Sequence, residues 1–313
     1  MSEACAVHDG RAGNARQALA LAKALDADAD EIVLRPQAPA RWFAPRRLPL
    51  SPAPFGSGFR VACESPPAIA IGCGRQAALA TRLLRRRGAN AVQILDPRID
   101  TRHWDLVVAP EHDGLRGDNV VPMLGSLHPV DDLWLAQARR DFAPFSLLPA
   151  PHTVLLVGGP SRHAALRDGE FERLLRQLAE RARAEGGSFS AVASRRTPPH
   201  WREALGRPDA DLPGVRWRDE RDGANPYAGL LGHAGRIVCT PDSVNMLGEA
   251  AATLAPVFAW SAGKASGRLR VFLDALRTRG RIRDMDDALD DFAVEPLRET
   301  ARIAAEVRRR LAR

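Results

Sequence analysis

The chain has 313 residues, of which 45% are hydrophobic and 27% are charged. That balance is typical of a globular protein and excludes a chain that stays unfolded for want of apolar residues. No run approaches the roughly 20 apolar residues needed to cross a bilayer, and no basic segment followed by an apolar stretch indicates a signal peptide. Four scattered cysteines without a CxxC pair indicate reduced thiols in a cytoplasmic protein and no metal site.

The net charge is +7, and nearly all of the basic residues are arginine. Such a surplus suits an anionic small ligand, an anionic membrane surface or nucleic acid. Nucleic acid is the weakest of the three, because the arginine runs 85–87 and 308–310 resemble helix ends and no aromatic residues interleave with them. The segment 42–47 has two aromatic residues and two arginines, which keeps open either a peripheral contact with the inner membrane or an ordered loop.

Short apolar runs alternate with helical patterns in the first half of the chain. Strands are predicted at 4–7, 68–71, 92–95, 106–109 and 120–123. The proline- and arginine-rich stretch 35–59 is predicted to be a long loop with one short helix. The alternation indicates a parallel sheet with helices on both faces.

The same pattern restarts after a proline-rich segment at 144–151, which is predicted to be a linker. Strands are predicted at 153–157, 189–193, 215–217, 236–240 and 256–259. The fold class is therefore predicted as α/β, with two Rossmann-like lobes that have parallel sheets and face each other across a cleft. The predicted boundaries are 1–147, 148–292 and, for a C-terminal helix, 293–313.

The segment after the strand at 236–240 carries the most specific chemistry. A helix is predicted to begin near Asp242 or Ser243, and the free N–H groups of its first turn favour an anion. Glu249 follows one to two turns later among small and apolar residues, where a carboxylate needs a hydrogen-bonding partner such as a ribose diol. The alternative is that Ser243 is an ordinary N-cap and that Glu249 faces solvent.

Two further turns are expected at the same sheet edge. Gly158 and Gly159 follow a buried strand, where glycine lets a backbone approach a phosphate and where Ser161 and Arg162 add donors. A tight turn between strand and helix explains these glycines as well. The loop after the next strand would meet the same ligand or be a solvated basic turn. It contains Ser194, Arg195 and Arg196.

The turn after the first strand supplies candidates for a general base. His8 and Asp9 offer an imidazole and a carboxylate there, and the alternative is an N-cap with a glycine turn. Other polar turns fall at the same predicted edge, among them one with His112, which lacks the spacing of a metal ligand. The residues expected on this side are Gly10, Arg11, Gly13, Asn14, Gly74, Arg75, Asp96, Arg98 and His112.

In chain order, these motifs resemble the mitochondrial-fission protein family of plants and its bacterial relatives, which are often labelled nucleoside-diphosphate-sugar epimerases. The motifs lie at 9–14, 71–76, 93–98, 110–113, 158–163, 194–198, 225–227 and 242–246. The resemblance covers nearly the whole chain and implies a glycosyltransferase-B-like fold, in which a helix over 296–311 packs back on the first lobe. It also implies a nucleotide sugar on the second lobe, expected to be UDP-linked, and an acceptor on the first.

The resemblance assigns the donor side residue by residue. Glu249 would bind the ribose, and Ser243 and Gly159 would lie near the diphosphate. The other donor-side residues that it implies are Gly158, Ser161, Arg162, Ser194, Arg195, Arg196, Asn225, Thr240, Asp242, Asn245 and Met246. Asp9 would deprotonate the acceptor hydroxyl if the transfer inverts the stereochemistry of the sugar. No metal or other cofactor is expected, since arginines and backbone amides would stabilise the departing diphosphate.

Two functions remain open. One is metal-independent transfer of a sugar from a nucleotide sugar to an unknown acceptor. The other is a non-catalytic adaptor of the fission-protein type, which acts through protein or membrane-surface contacts. A short-chain epimerase is excluded, because it needs a Tyr-xxx-Lys pair and the only tyrosine, Tyr227, is followed by leucine at position 231. His8 departs from the family pattern, in which a small hydroxyl residue is expected before Asp9.

Overall fold

The chain divides into two compact units in a computed structural model, which describes residues 3–38, 40–46, 55–207, 211–286 and 288–312. Unit 1 comprises residues 1–129 and 298–313, and unit 2 comprises residues 130–297. The predicted boundary at 147/148 falls later than this division. The reason is that the helix after residue 130 packs within unit 2, where Arg139 Nε donates to the Gly232 carbonyl oxygen at 2.6 Å.

Unit 1 contains a sheet of six parallel strands in the order β2-β1-β3-β4-β5-β6. Its elements are β1 (Ala4–His8), α1 (Ala12–Leu25), β2 (Asp30–Val33), α2 (Ala40–Phe43), α3 (Ser57–Glu64), β3 (Ile69–Cys73), α4 (Arg75–Arg85), β4 (Asn90–Ile94), β5 (Leu106–Pro110) and β6 (Val120–Met123). The direction in which strands are added reverses between β1 and β3, which places the topological switch point of this sheet at the ends of those two strands.

Unit 2 contains a second sheet of six parallel strands, in the order β12-β11-β10-β7-β8-β9. Its elements are α5 (Asp132–Asp141), β7 (His152–Val157), α6 (Asp168–Ala184), β8 (Ser188–Ala193), α7 (Pro199–Leu205), β9 (Arg216–Trp217), α8 (Tyr227–His233), β10 (Arg236–Cys239), α9 (Val244–Ala251), β11 (Val257–Ala259), α10 (Gly267–Thr278) and β12 (Arg283–Asp284). Here the switch point lies between β7 and β10, the two central strands.

The helix α11 (Glu299–Leu311) follows unit 2 in the chain and packs in unit 1. Its residues Ile303, Ala304 and Val307 are buried in one cluster with Ala18 and Leu21 of α1. Burial of each large aliphatic side chain stabilises the fold by roughly 1.5–3 kcal/mol. The first unit is therefore built from two separate stretches of the chain.

All ten predicted strands are present, with their ends displaced by at most two residues. The edge strands β2 and β12 were not predicted. Within the described part of the predicted loop 35–59, α2 and the start of α3 are helical. The predicted class, two Rossmann-like α/β units with parallel sheets, is confirmed. Across the described ranges, no helix is both long enough and apolar enough to cross a membrane.

Candidate functional site

The carboxyl ends of β7 and β10 meet at the switch point of unit 2. Gly158 follows β7, and its N–H donates to Thr240 Oγ1, which follows β10, at 2.7 Å. Thr240 Oγ1 in turn donates to Asp242 Oδ1 at 2.7 Å. Ligands of open α/β sheets bind at this edge. Two segments that sequence analysis placed at one edge are thus joined by a direct chain of hydrogen bonds.

Asp242 lies at the centre of this cluster. Its side chain is 0% exposed and accepts from Arg196 Nη2 at 2.6 Å. Burial raises the pKa of the Asp242 carboxyl, and the Thr240 hydroxyl and the Arg196 guanidinium oppose that rise. The Arg196 side chain itself remains 54% exposed. The buried Asp242 carboxylate therefore holds one side of the Arg196 guanidinium, and the rest of the Arg196 side chain stays accessible to solvent.

The two glycines after β7 are required by packing inside unit 2. A Cβ atom on Gly158 would lie 2.1 Å from Asp242 Oδ1, and one on Gly159 would lie 2.4 Å from the Arg196 carbonyl oxygen. Both distances are far below van der Waals contact. The space beside the glycines is filled by the chain's own atoms, so the tight-turn alternative accounts for them.

The helix α9 begins where the sequence predicts. Ser243 is its N-cap, with Oγ accepting from the Met246 N–H at 3.4 Å. Ser243, Asn245 and Met246 are all partly exposed. The N-cap role predicted as one alternative for Ser243 is confirmed. A capped first turn satisfies one backbone donor, and its other N–H groups still favour an anion.

Glu249 lies on the same helix and is only 3% exposed, so the alternative in which it faces solvent is wrong. The Tyr227 hydroxyl donates to Glu249 Oε2 at 2.6 Å. Tyr227 begins α8, and its backbone N–H donates to Asn225 Oδ1 at 2.9 Å. The sequence shows that a carboxylate here needs a donor. No spacing rule identifies residue 227 as that donor.

A buried arginine that sequence analysis missed binds the other end of α9. Arg281 Nε donates to the Ala251 carbonyl oxygen at 2.6 Å, and Nη2 donates to the Thr253 carbonyl oxygen at 2.8 Å. The last carbonyls of a helix lack partners within the helix, and a cation there also complements the helix dipole. Both ends of the helix that carries Ser243 and Glu249 are thus fixed by side chains.

The loops after β7 and β8 are ordered by short-range hydrogen bonds. Ser194 Oγ accepts from the Arg196 N–H at 3.2 Å, and Ser161 Oγ accepts from the His163 N–H at 3.3 Å. The side chains of Arg162 and Arg195 lie in exposed positions. Of the three arginines predicted here, Arg196 is the one that the buried Asp242 carboxylate orients.

The switch point of unit 1 brings the turns after β1 and β3 together. Asn14 Nδ2 donates to Asp9 Oδ1 at 3.0 Å. A Cβ atom on Gly74 would lie 2.4 Å from Asn14 Nδ2, so glycine is needed for this close approach. Arg11 Nε lies 3.6 Å from Asp9 Oδ2. Asp9 is partly buried and is held by polar groups of the same turn.

His8 is 2% exposed, and both of its ring nitrogens are engaged. The Gly10 N–H donates to Nδ1 at 3.1 Å, so Nδ1 carries no proton. The other nitrogen, Nε2, then donates to Glu31 Oε1 at 2.8 Å. This arrangement fixes the turn that follows β1 and joins β1 to β2, and it leaves Asp9 as the better placed of the two predicted bases.

The Arg75 guanidinium binds backbone carbonyl groups of α2. Its Nη2 and Nη1 atoms donate to the carbonyl oxygens of Arg41 and Trp42 at 2.9 and 3.2 Å. The backbone of α2 is thereby fixed to α4, while the side chains of Trp42 and Phe43 are 66% and 50% exposed. Arg47, which belongs to the segment predicted to touch lipid, lies outside the described residues.

The remaining predicted residues of unit 1 occupy turns. The Arg98 N–H donates to Asp96 Oδ1 at 2.8 Å after β4, and His112 lies in a short 3-10 turn after β5. The Gly13 carbonyl oxygen accepts from Gln17 Nε2 at 3.3 Å in the first turn of α1. Among the residues that the structure describes, no group of three or more His, Cys, Asp or Glu side chains is placed to hold a metal ion.

Solved structures of other proteins share this fold. UDP-GlcNAc 2-epimerase from Methanocaldococcus jannaschii, in complex with UDP-GlcNAc and UDP, is 11% identical with a TM-score of 0.52, over 97% of this chain and 99% of that one. UDP-N-acetylglucosamine 2-epimerase from Rickettsia bellii is 12% identical with a TM-score of 0.50, over 100% and 96%. The chain thus has the glycosyltransferase-B-like fold predicted from its motifs.

The sequence also identifies a family. The family model described as "Mitochondrial fission ELM1" matches residues 12–311, and the chain belongs to that family. "Mitochondrial fission protein ELM1" of Arabidopsis thaliana is 28% identical over 277 residues, which cover 79% of this chain. The chain spans 64% of the length of that relative.

Proposed function

We propose that the chain binds a nucleoside diphosphate sugar at the switch point of unit 2 and transfers the sugar to an unknown acceptor. The observation that carries this proposal is Glu249, a buried carboxylate on the helix whose first turn follows the Asp242–Arg196 pair. The Tyr227 hydroxyl donates to one of its oxygens, and an ionised carboxylate has about four acceptor sites, so it can also accept from a ligand hydroxyl. A ribose offers the hydroxyl donors that such a carboxylate binds.

The diphosphate would lie against Arg196 and the first turn of α9. Asp242 holds the Arg196 guanidinium at 2.6 Å and leaves its side chain half exposed, which orients a cation without covering it. Ser243 caps α9, where the helix dipole favours negative charge. Donors fixed in advance in this way stabilise a departing diphosphate without reorganising during the reaction.

Asp9 would act as the base on the acceptor hydroxyl. Its carboxylate lies at the switch point of unit 1 and is held by Asn14 and Arg11. Proton abstraction requires such a positioned carboxylate within hydrogen-bond reach of the acceptor. We expect Asp9→Asn to leave nucleotide binding unchanged and to lower the transfer rate roughly 10²- to 10⁴-fold.

The test of binding is a thermal-shift panel of UDP-, GDP-, CMP- and dTDP-sugars. UDP sugars come first, because the M. jannaschii 2-epimerase of this fold is in complex with UDP-GlcNAc and UDP. A ligand at ~100 times its Kd stabilises the folded state by about 2.7 kcal/mol. Glu249→Gln should lose most of this shift, whereas the control Glu180→Gln, at an exposed position of α6, should keep it. Equal shifts in both variants would contradict the ribose role.

A second candidate function is an adaptor that acts at an anionic membrane surface. The exposed Trp42 and Phe43 favour it, since Arg75 fixes the backbone beneath them. Aromatic side chains beside arginines are typical of interfacial contacts. Flotation with anionic vesicles should weaken for Trp42→Ser with Phe43→Ser and not for Val61→Ser, another exposed apolar position of unit 1. Vesicle binding without turnover of any nucleotide sugar would favour the adaptor.

A further inference from the structure

The positive charge of the chain is concentrated in one stretch. Residues 40–88 contain nine arginines, no lysine and a single acidic residue, Glu64. Their surplus of positive charge exceeds the net charge of +7 of the whole chain, so the rest of the chain is close to neutral. A general preference for arginine would not explain why acidic residues are missing from this stretch.

The helices of this stretch form one layer of unit 1. α2, α3 and α4 pack on the same face of the sheet, where Phe59 and Leu84 lie in one buried cluster. The opposite face is covered by α1 and α11. The cationic face is the outer surface of this layer and comprises residues 40–46, 55–64 and 75–88.

Arginines of α4 hold the layer together. Arg82 Nη1 donates to the Pro45 carbonyl oxygen at 2.5 Å, and Arg87 Nη1 donates to the Cys63 carbonyl oxygen at 3.0 Å. Arg75 binds the carbonyl groups of α2 in the same way. The positions of α2 and α3 on α4 are therefore fixed before any partner binds.

Other arginines of the cationic face are exposed, and no hydrogen bond or ion pair within the described part of the chain engages their guanidinium groups. They are Arg41, Arg46, Arg60 and Arg86. Arg86 lies one helical turn after Arg82, which binds the backbone just before Arg46. Three of these free cations are thus carried by α4 and by the chain of α2 that is fixed to it.

The free arginines and two exposed aromatic side chains suit an anionic bilayer. A guanidinium binds phosphate oxygens through two parallel hydrogen bonds. Trp42 and Phe43 lie in the same layer and are 66% and 50% exposed. Aromatic rings are typical of the zone where headgroups meet acyl chains, and clustered arginines beside them are typical of contacts with anionic lipids.

We infer that the cationic face binds the phosphate headgroups of anionic phospholipids and holds unit 1 at a bilayer surface. The side chains assigned to the headgroups are Arg41, Arg46 and Arg86. An arginine near an anionic leaflet strengthens binding roughly fivefold. This surface acts independently of the nucleotide site in unit 2, and it adds arginine contacts to the two aromatic side chains on which the second candidate function rests.

Co-sedimentation of the full chain with vesicles tests the cationic face. We expect wild-type protein to bind vesicles of equal parts phosphatidylglycerol and phosphatidylcholine, to bind pure phosphatidylcholine far less, and to be released by added salt. The combined variant Arg41→Gln, Arg46→Gln and Arg86→Gln should bind the anionic vesicles roughly 100-fold more weakly.

The charge-matched control combines Arg173→Gln, Arg176→Gln and Arg270→Gln, at three exposed positions of unit 2. It lowers the net charge by the same amount and should bind anionic vesicles as wild-type protein does. Both variants should melt at the wild-type temperature, since substitutions at exposed positions change stability little. Both should also keep the thermal shift with a nucleotide sugar, which reports on the site in unit 2 separately.

Wild-type protein that stays in solution beside anionic vesicles would overturn the lipid role of the cationic face and leave the nucleotide site in place. Equal losses in the two variants would also overturn it, because the net charge and not this face would then bind the lipid. If wild-type protein ignores vesicles and binds a single-stranded oligonucleotide through the same three arginines, the face binds nucleic acid instead. Vesicle binding as expected, with no thermal shift by any nucleotide sugar, would support the face and reject the nucleotide site.

Discussion

Replacing Gly158 by alanine tests whether the switch point of unit 2 is built around Asp242. The added Cβ would lie 2.1 and 2.2 Å from the two carboxylate oxygens of Asp242, whose side chain is fully buried. Asp242 would have to move and break its hydrogen bonds to Thr240 or Arg196. Overpacking costs ~1–3 kcal/mol and a lost hydrogen bond to a charge ~1.5–3 kcal/mol, so we expect a loss of about 3–5 kcal/mol.

Scanning calorimetry measures this loss directly. At ~2–4 °C per kcal/mol for a domain of this size, the transition of unit 2 should fall by roughly 10 °C. Gly169→Ala is the matched control, because nothing lies within 4 Å of its added Cβ and it sits in the first turn of α6. Alanine there should be neutral or stabilising by up to ~1 kcal/mol. A Gly158→Ala protein within ~0.5 kcal/mol of wild type would refute the packing role assigned to Asp242.

Three further predictions concern stability and reactivity. Burial lowers the pKa of His152 from 6.5 to about 4. Because the unfolded chain therefore takes up this proton first as the pH falls, the contribution of His152 to the free energy of unfolding is full above pH 6.5 and falls by about 3 kcal/mol toward pH 4. Urea titrations of His152→Gln should lack this pH-dependent loss of stability. Arg281→Met should lower the free energy of unfolding by at least ~3 kcal/mol in the same titrations, because the buried carbonyl oxygens at the end of α9 lose their donors. As a control, Arg279→Met at an exposed position should change it by no more than ~0.5 kcal/mol. Among the four cysteines, only Cys63 is not buried, and mass spectrometry should find it alkylated by iodoacetamide well before the other three; equal rates in the folded protein would contradict their burial.

The central strands could be predicted from sequence because burial on both faces of a parallel sheet requires a continuous apolar run. The edge strand β2 escapes this rule. Asp30 and Glu31 within it are exposed. An edge strand pairs with a single neighbour and its other edge is unpaired, so it need not be a continuous apolar run. The strand β12 is two exposed residues, Arg283 and Asp284, paired to β11. These two residues form a strand because they pair with β11, and a segment this short shows no periodic pattern in the sequence.

The turns of the candidate site were predictable for a topological reason: the carboxyl ends of parallel strands share one edge. The contacts inside the site were not. The pairs Tyr227–Glu249 and Arg196–Asp242 join residues 22 and 46 positions apart, and only side-chain packing selects those partners. The same limit applies to Gly158. A glycine after a strand indicates that some atom comes close, and the sequence does not say whether it belongs to a phosphate or to Asp242.

The return of α11 to unit 1 has a consequence for how the protein is made. Residues 1–129 are synthesised before unit 2, yet the core around Ala18 and Leu21 lacks Ile303 and Val307 until the whole of unit 2 has been synthesised. Unit 2 is one continuous stretch, and domains fold as units during synthesis. A chain that ended at residue 297 would therefore contain the whole of unit 2 and a first unit without α11, in which the side chains that pack against Ile303 and Val307 leave an apolar groove.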